Sequence, residues 1–175
     1  MPWTNGPLTV YHGCHDVSAT SIRAGVNTAH CRLRTDFGIG FYTTTSYRQA
    51  AFWANGQYRR ARRKGTPAAF AVVLQFVLPR IPLGSLSSLV FIIENSNPDY
   101  WDFVTHNRTG PRPHYTVGSL AGNYDVVYGP VSLWPQLLVI KDCDQISFHN
   151  AGAISALPVP TTRAAGTASD PLLRP

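Results

Sequence analysis

Three short stretches of the sequence combine groups that catalysis and ligand binding often use. Residues 11–13 (YHG) join an imidazole to a glycine, residues 36–42 (DFGIGFY) place two glycines before a tyrosine, and residues 145–149 (QISFH) carry an amide and an imidazole. These side chains donate and accept hydrogen bonds, and a glycine lets a ligand approach the backbone closely. Each stretch alone is weak evidence, because a histidine that follows a strand is more often structural than catalytic.

The signatures of several enzyme classes do not occur in the sequence. Gly38 and Gly40 form a G-x-G pair without the third glycine of a dinucleotide fingerprint. The absence of G-x-S-x-G, H-E-x-x-H and Walker sequences disfavours serine-hydrolase, zincin and P-loop functions. Cys14 lies close to two histidines, but no second group of ligands supports a metal site there, and we expect none.

Composition predicts one folded domain in a reducing compartment. The chain has 175 residues, of which 44% are hydrophobic, and its three cysteines show no C-x-x-C spacing. No apolar run approaches the roughly 20 residues that cross a bilayer, and the first residues do not resemble a signal peptide. We therefore expect a cytoplasmic protein that does not act at membranes.

The positive charge of the chain is concentrated in one segment. The formal net charge is +6, and residues 59–64 read RRARRK. Cations at the end of a helix interact favourably with its dipole, which is one explanation of this segment. A cluster of cations also suits contact with the phosphates of nucleic acid or another polyanion, and the sequence leaves both explanations open.

The elements that must position these residues mix strands and helices without regular alternation, which predicts an α+β fold. The apolar and β-branched patterns predict strands in residues 8–13, 40–45, 68–79, 89–95, 124–132 and 144–150, and helices in residues 16–25, 46–65, 97–108 and 150–157. Residues 158–175 are small, polar and proline-rich, so we expect a flexible tail after a domain of residues 1–157.

Helix-capping residues further define two of the predicted helices. Ser46 is a candidate N-cap for the long helix and Gly65 a candidate stop. For the first helix, Asp16 or Ser18 can serve as the N-cap and Gly25 can end it.

Taken together and in order, these motifs resemble the ADP-ribosyltransferase superfamily. The resemblance is to the histidine–tyrosine branch, which includes diphtheria toxin and the poly(ADP-ribose) polymerases. Within that branch the chain resembles a little-characterised bacterial family with YHG, DFGxGFY, YDVVxGPV and QISFH motifs, which here lie between residues 11 and 149. The resemblance implies split mixed and antiparallel β-sheets that form an NAD cleft, with flanking helices.

The resemblance assigns roles to residues that match the family pattern. His12 matches the histidine that hydrogen-bonds the adenosine-side ribose, and Gly13 matches the glycine whose backbone holds the nicotinamide amide. Tyr42 and Trp53 match the aromatics on the two faces of the nicotinamide ring, where stacking and cation–π attraction favour binding. Both could instead be ordinary core aromatics. Thr43, beside Tyr42, is expected to bind NAD as well.

The sequence departs from the family at the third catalytic position, where the toxins and polymerases have a glutamate. Gln145 takes that place and joins His12 and Tyr42 as an expected catalytic residue. An amide oxygen can accept a hydrogen bond from the 2′-hydroxyl of the nicotinamide ribose, but it brings no negative charge to the developing cation. Help from a nearby carboxylate would compensate, and the candidates are Asp36, Glu94 and Asp144.

Arg108 is a further polar residue of interest. Its planar guanidinium suits contact with the pyrophosphate of NAD, although an ion pair at the protein surface or capping of a helix end explains it equally well.

The resemblance therefore implies an NAD-dependent ADP-ribosyltransferase, of toxin or effector type, that cleaves the bond between nicotinamide and ribose. Such a protein would act in the cytoplasm, its own or that of a target cell, and an immunity protein would be a partner. The acceptor is expected to be a macromolecule, with the basic composition favouring nucleic acid over protein. The alternatives are an NAD glycohydrolase, a non-catalytic module that binds NAD or ADP-ribose, and a basic nucleic-acid-binding domain.

Overall fold

The structure of the chain, a computed structural model, describes residues 6–92, 98–110 and 122–174. It is mixed α and β, as predicted, with one antiparallel sheet and one mixed sheet. The chain forms two compact units, the first from residues 1–26, 43–84 and 155–175 and the second from residues 27–42 and 85–154. Because each unit is assembled from separate segments, no linker in the sequence marks a boundary between them.

The secondary structure follows the sequence patterns closely. The strands are β1 (Leu8–His15), β2 (Phe41–Thr43), β3 (Ala71–Leu78), β4 (Ser88–Val90), β5 (Val126–Leu133), β6 (Leu138–Phe148) and β7 (Thr161–Gly166). The helices are α1 (Asp16–Ala24), α2 (Tyr47–Arg63), α3 (Arg80–Gly84), α4 (Pro98–Thr109) and α5 (Ala151–Ser155), with short 3-10 helices at Thr28–His30 and Pro171–Leu173. Every predicted strand and helix has a counterpart, although β4 ends at Val90 and residues 93–95 of the strand predicted at 89–95 lie outside the described residues. Within the described residues, no helix is long and apolar enough to cross a membrane.

The first unit is built on an antiparallel sheet in the order β1-β3-β7. Strand β3 lies at its centre and is buried almost throughout, as its continuous apolar sequence predicts. Helix α2 packs on this sheet through alanines, and its neighbours in the core include Val73 and Leu173. Small side chains on the helix allow the close approach.

The ends of the first two helices are set by local side chains. Ser46 caps α2 by accepting from the Gln49 N–H at 3.2 Å, and Gly65 follows the helix with a φ of 76°, as predicted. The prediction for α1 is confirmed at its C-terminus, where Gly25 is the C-cap, but it is wrong at the N-terminus, because His15 rather than Asp16 or Ser18 is the N-cap. The Asp16 carboxylate instead accepts a hydrogen bond from the Ala69 N–H at 3.1 Å.

The expected flexible tail is instead part of the first unit. Residues 161–166 form β7, which pairs with β3, and the wholly buried Leu173 belongs to the core beside α2. The amide of Asn55 donates to the Leu173 carbonyl at 2.7 Å. Composition misleads here because the small residues of β7 need little apolar surface of their own when a neighbouring strand supplies the hydrogen bonds.

The second unit contains a four-stranded sheet in the order β2-β6-β5-β4, in which β4 and β5 are parallel and β5 and β6 antiparallel. Its apolar core comprises Phe37, Phe91, Tyr100, Trp101, Phe103, Val104 and Val127. Helix α4 supplies four of these side chains, so the helix is held to the sheet by aromatic packing.

Candidate functional site

A buried carboxylate in the second unit, that of Asp36, accepts five hydrogen bonds. Its side chain is 2% exposed. Oδ1 accepts from Arg108 Nε at 2.8 Å, Arg108 Nη2 at 2.5 Å and Ser132 Oγ at 2.6 Å. Oδ2 accepts from Gln145 Nε2 at 2.6 Å and from the Ser132 N–H at 2.9 Å. Asp36 thereby ties α4, β5 and β6 to the loop that precedes Tyr42.

The environment of Asp36 explains how a buried charge is tolerated there. The Arg108 guanidinium compensates the negative charge, and the other donors fill the remaining acceptor positions. Asp36 is therefore saturated and is not available as a base or as a direct ligand of a substrate.

Gln145 lies on β6 opposite Gly129 and is 9% exposed. Its Nε2 donates to Asp36 and to the Pro130 carbonyl at 2.9 Å. Both partners only accept, so the nitrogen and oxygen of the amide are assigned by chemistry. Among the described residues no group donates to Gln145 Oε1. This oxygen is not one of the fully buried side-chain atoms that lack a partner, since Asn55 Oδ1 is the one such atom in the described residues. Gln145 therefore presents a fixed, solvent-accessible acceptor.

Tyr42 is held by the glycine loop through its hydroxyl group. The hydroxyl donates to the Gly38 carbonyl at 2.8 Å, accepts from the Phe37 N–H at 3.0 Å and lies 2.8 Å from Thr35 Oγ1. Burial raises the pKa of the Tyr42 phenol, so the group stays protonated. The ring is partly buried and stacks on Phe37 at 6.3 Å between centroids. A ligand would thus meet the ring of Tyr42, since the hydroxyl is already bound.

The two glycines of the loop have separate structural reasons. Gly38 has a φ of 81°, which side chains other than glycine rarely adopt. A Cβ on Gly40 would lie 2.6 Å from His149 Nδ1. This histidine donates to the Ile39 carbonyl at 2.7 Å and contacts the Tyr42 ring edge-on. The glycines thus shape the backbone around Tyr42.

In the first unit, Gly13 lies on the edge strand β1. Tyr11 exchanges backbone hydrogen bonds with Thr44, at 2.8 and 2.9 Å, on the side of β1 away from β3. Since peptide groups of alternate residues point to the same side of a strand, the N–H and C=O of Gly13 point to that side too. Apart from the bridge at Tyr11, no described strand pairs with β1 there.

The close packing of α2 is what requires a glycine at position 13. A Cβ added to Gly13 would lie 2.1 Å from the Ala50 carbonyl oxygen and 2.6 Å from the Ala54 nitrogen. We had attributed the glycine to close approach of a ligand, whereas its missing side chain makes room for the helix. The backbone hydrogen-bonding groups remain directed to the open edge of β1.

The first unit contains three other predicted residues. His12 is half-buried on β1 in register with Leu74, and Trp53 is 41% exposed on α2. Thr43, the last residue of β2, is buried. The first unit thus contains His12, Gly13, Thr43 and Trp53, and the second contains Tyr42, Arg108 and Gln145.

The structure shows where two groups of charged residues lie. The guanidinium of Arg108, which was expected to contact the pyrophosphate of NAD, pairs with Asp36, a carboxylate that is 2% exposed, and so forms neither the surface ion pair nor the helix-end cap that the sequence left open. Of the three candidate carboxylates, Asp36 contacts Gln145 directly and Asp144 is its half-buried chain neighbour. Glu94 lies outside the described residues. Ser132 was not predicted as part of the site, and nothing in its local sequence distinguishes it.

Cys14 does not have the properties of a nucleophile. The side chain is 3% exposed, and burial raises the pKa of its thiol to about 12. The reactive thiolate is therefore scarce at neutral pH. Within the described residues, no group of three or more potential ligands that could hold a metal ion occurs.

Residues 8–132 match a protein family described as "Protein of unknown function (DUF3990)". No curated protein matches the chain. The matched range includes Asp36, Tyr42 and Arg108, and Gln145 follows it.

Proposed function

The chain belongs to the DUF3990 family, and we propose that it is an NAD-dependent ADP-ribosyltransferase with an ADP-ribosyltransferase-like fold. In the proposed reaction the bond between nicotinamide and ribose breaks, nicotinamide leaves with the bonding electrons, and the ribose carbon is attacked by a nucleophile of a macromolecular acceptor, which loses a proton. The intermediate state resembles an oxocarbenium ion, as in glycoside hydrolysis.

The observation that carries the proposal is the fixed amide of Gln145. Two hydrogen bonds hold its Nε2, so Oε1 is pre-oriented as an acceptor. A ribose hydroxyl is a donor of the kind that this oxygen can bind, and pre-orientation reduces the entropy cost of binding it. The hydrogen bond to the Asp36 carboxylate fixes the amide in this orientation, while the charge of that carboxylate is compensated by Arg108.

Other groups of the chain suit the nicotinamide part of NAD. The backbone N–H and C=O of Gly13 offer a donor and an acceptor on the same side of the strand, and a primary carboxamide can bind to such a pair. Tyr42 offers an aromatic ring whose hydroxyl is already bound, which suits stacking against a flat cationic ring. In the proposal His12 binds the adenosine-side ribose, and Trp53 stacks on the nicotinamide.

The test is release of nicotinamide from NAD labelled in its ADP-ribose part, with transfer to protein and nucleic-acid acceptors followed in parallel. We expect Gln145→Ala and Tyr42→Leu each to lower release at least tenfold, since each removes about 1.4 kcal/mol or more of binding to the transition state. The matched controls are Gln136→Ala, an exposed turn residue, and Tyr128→Leu, a half-buried tyrosine on β5. No release by the unaltered protein with any acceptor would overturn the proposal.

A non-catalytic NAD-binding module is the second candidate, and one observation favours it. The carboxylate that contacts Gln145 is saturated by its own donors and offers no charge directly to a substrate. This candidate predicts saturable NAD binding without nicotinamide release. Release that needs no acceptor would instead identify an NAD glycohydrolase.

A further inference from the structure

The outer side of α2 carries one aromatic and several cationic side chains in a single stripe. Successive residues of a helix are about 100° apart, so Arg48, Phe52, Arg59 and Arg63 lie within about 60° of one another around the axis. All four side chains are exposed, Phe52 to 55%. The opposite side of the helix is buried through Ala50, Ala54 and Ala61. We refer to Arg48, Phe52, Arg59 and Arg63 as the α2 stripe.

The charges of the α2 stripe are not compensated within the described residues. Residues 46–64 contain no Asp or Glu, and the ion pair found in the described part of the chain is Arg108–Asp36. Arg59 and Arg63 are four residues apart on the helix, a spacing at which like charges repel. The chain thus keeps an unfavourable arrangement that an acidic residue would relieve.

The helix dipole accounts for only part of this arrangement. Cations in the last turn of a helix are stabilised by the dipole, which applies to Arg63. Arg48 lies in the first turn, where a cation is disfavoured, and Arg59 precedes the last turn. The charges of these two arginines are therefore better explained by an anionic partner.

We propose that the α2 stripe binds single-stranded nucleic acid. The arginine forks suit phosphate oxygens, and the exposed ring of Phe52 offers a stacking surface for an unpaired base. Arg48 and Arg63 are 15 positions apart, about 22 Å along the helix axis, with the ring lying within that span. In a duplex the bases already stack on one another, so an aromatic ring favours a single strand. Binding of the strand does not depend on the proposed function. The inference rests on that function only where it identifies the bound strand as the acceptor of ADP-ribose.

The experiment is fluorescence anisotropy of a labelled, mixed-sequence DNA strand with the full chain and no NAD. A strand of about 20 nucleotides exceeds the roughly 4–16 nucleotides of common single-strand sites. Between about 50 and 200 mM salt, each phosphate contact contributes about −0.7 to the slope of log affinity against log salt. We expect Arg59→Gln with Arg63→Gln to reduce the slope by about 1.4, and Phe52→Ala to weaken binding about tenfold without changing the slope.

Two control variants separate a specific site from general charge and hydrophobicity. Lys141→Gln removes an exposed cation from β6, and Ile81→Ala shortens a side chain of α3 that is 90% exposed. Both should bind as the unaltered chain does, apart from a small loss for the lysine at low salt. Equal losses in control and stripe variants would overturn the inference. So would equal affinity for the corresponding duplex, or binding to phosphatidylserine vesicles without binding to the strand.

This result is independent of the NAD experiment. Nicotinamide release with no binding of the DNA strand would refute the α2 stripe as a nucleic-acid site and leave the proposed enzyme in place. Binding of the strand with no release of nicotinamide would refute the enzyme and leave the site.

Discussion

Replacing Asp36 by asparagine tests whether this carboxylate holds the second unit together. The substitution keeps the shape of the side chain but turns one oxygen into an NH₂ donor. If the new donor takes the place of Oδ1, it faces Arg108; if it takes the place of Oδ2, it faces Gln145 Nε2 and the Ser132 N–H. In either orientation a donor meets a donor, and the charge that balances the guanidinium is lost.

The size of the effect follows from burial on the two sides of the ion pair. Removing one partner of a buried pair costs about 3–5 kcal/mol, because the other charge stays buried and unpaired. Asp36 is 2% exposed, but the Arg108 side chain is 31% exposed and can recover part of its hydration. We therefore expect the lower end, a loss of about 3 kcal/mol, which is a large part of the roughly 5–15 kcal/mol that stabilises a typical domain.

Urea unfolding, followed by tyrosine and tryptophan fluorescence, measures this loss. Asp142→Asn is the matched control, because Asp142 is exposed on β6 and has a φ of 57°, which asparagine adopts readily. The control should stay within about 0.5 kcal/mol of the unaltered chain. If Asp36→Asn also stays within that range, the carboxylate is not the structural centre that its hydrogen bonds indicate.

Four further substitutions have outcomes that the structure predicts. Gly13→Ala should lower the free energy of unfolding by about 1–3 kcal/mol, because the new Cβ meets the α2 backbone. Gly56→Ala, where the new Cβ meets no neighbouring residue within 4 Å, should raise it by about 0.5–1 kcal/mol. Thermal unfolding distinguishes the two variants, and equal shifts would contradict the packing argument. Gln145→Glu should place two carboxyl groups in contact and raise the pKa of one of them. The stability of this variant relative to the unaltered chain should therefore fall as pH rises above about 4.3, by up to about 1.4 kcal/mol per pH unit. If the urea midpoints of the variant and the unaltered chain stay a constant distance apart from pH 4 to 8, this expectation is refuted. Hydrogen bonds from Asn150 and the Ser87 N–H lower the pKa of Asp125 below its ordinary 3.8, so this carboxylate stabilises the fold above pH 3.8 and the stabilisation is lost as pH falls through the lowered pKa. Asp125→Asn should therefore be destabilising at pH 7, and its effect should shrink as the pH is lowered below 3.8. Urea unfolding at a series of pH values measures this, and an effect that does not change with pH would be contrary to expectation.

The sequence predicts those features of the fold that depend on local patterns. The continuous apolar run of β3 and the capping serine of α2 identify their elements without reference to the rest of the chain. Strand β7 is different, because its composition resembles a loose tail and its stability comes from pairing with β3. The cap of α1 also escapes prediction, since histidine is an uncommon N-cap and Asp16 is drawn to Ala69 instead.

The candidate site is less predictable for a related reason. Tyr42 and Gln145 can be identified from motifs, but the residue that positions the glutamine is Asp36, whose partners come from α4, β5 and β6. These contacts join residues 72 to 109 positions apart, and no local pattern encodes them. The sequence identifies Asp36 only as one of three carboxylates that could assist Gln145. It does not indicate that Asp36 is buried or which residues donate to it.

The structure also gives a physical reason for an amide at position 145. A glutamate there would lie against Asp36 Oδ2, where the Gln145 nitrogen is now 2.6 Å away, and two carboxylates at that distance cannot both be ionised. An amide can donate to the buried carboxylate with one end and accept with the other, so it serves both the fold and a substrate hydroxyl. Gln145 and Asp36 are thus best understood as an interacting pair. A functional glutamate at position 145 would require Asp36 to change as well. The loss of stability in the double variant Asp36→Asn with Gln145→Glu at pH 8 should accordingly be smaller than the sum of the losses in the two single variants.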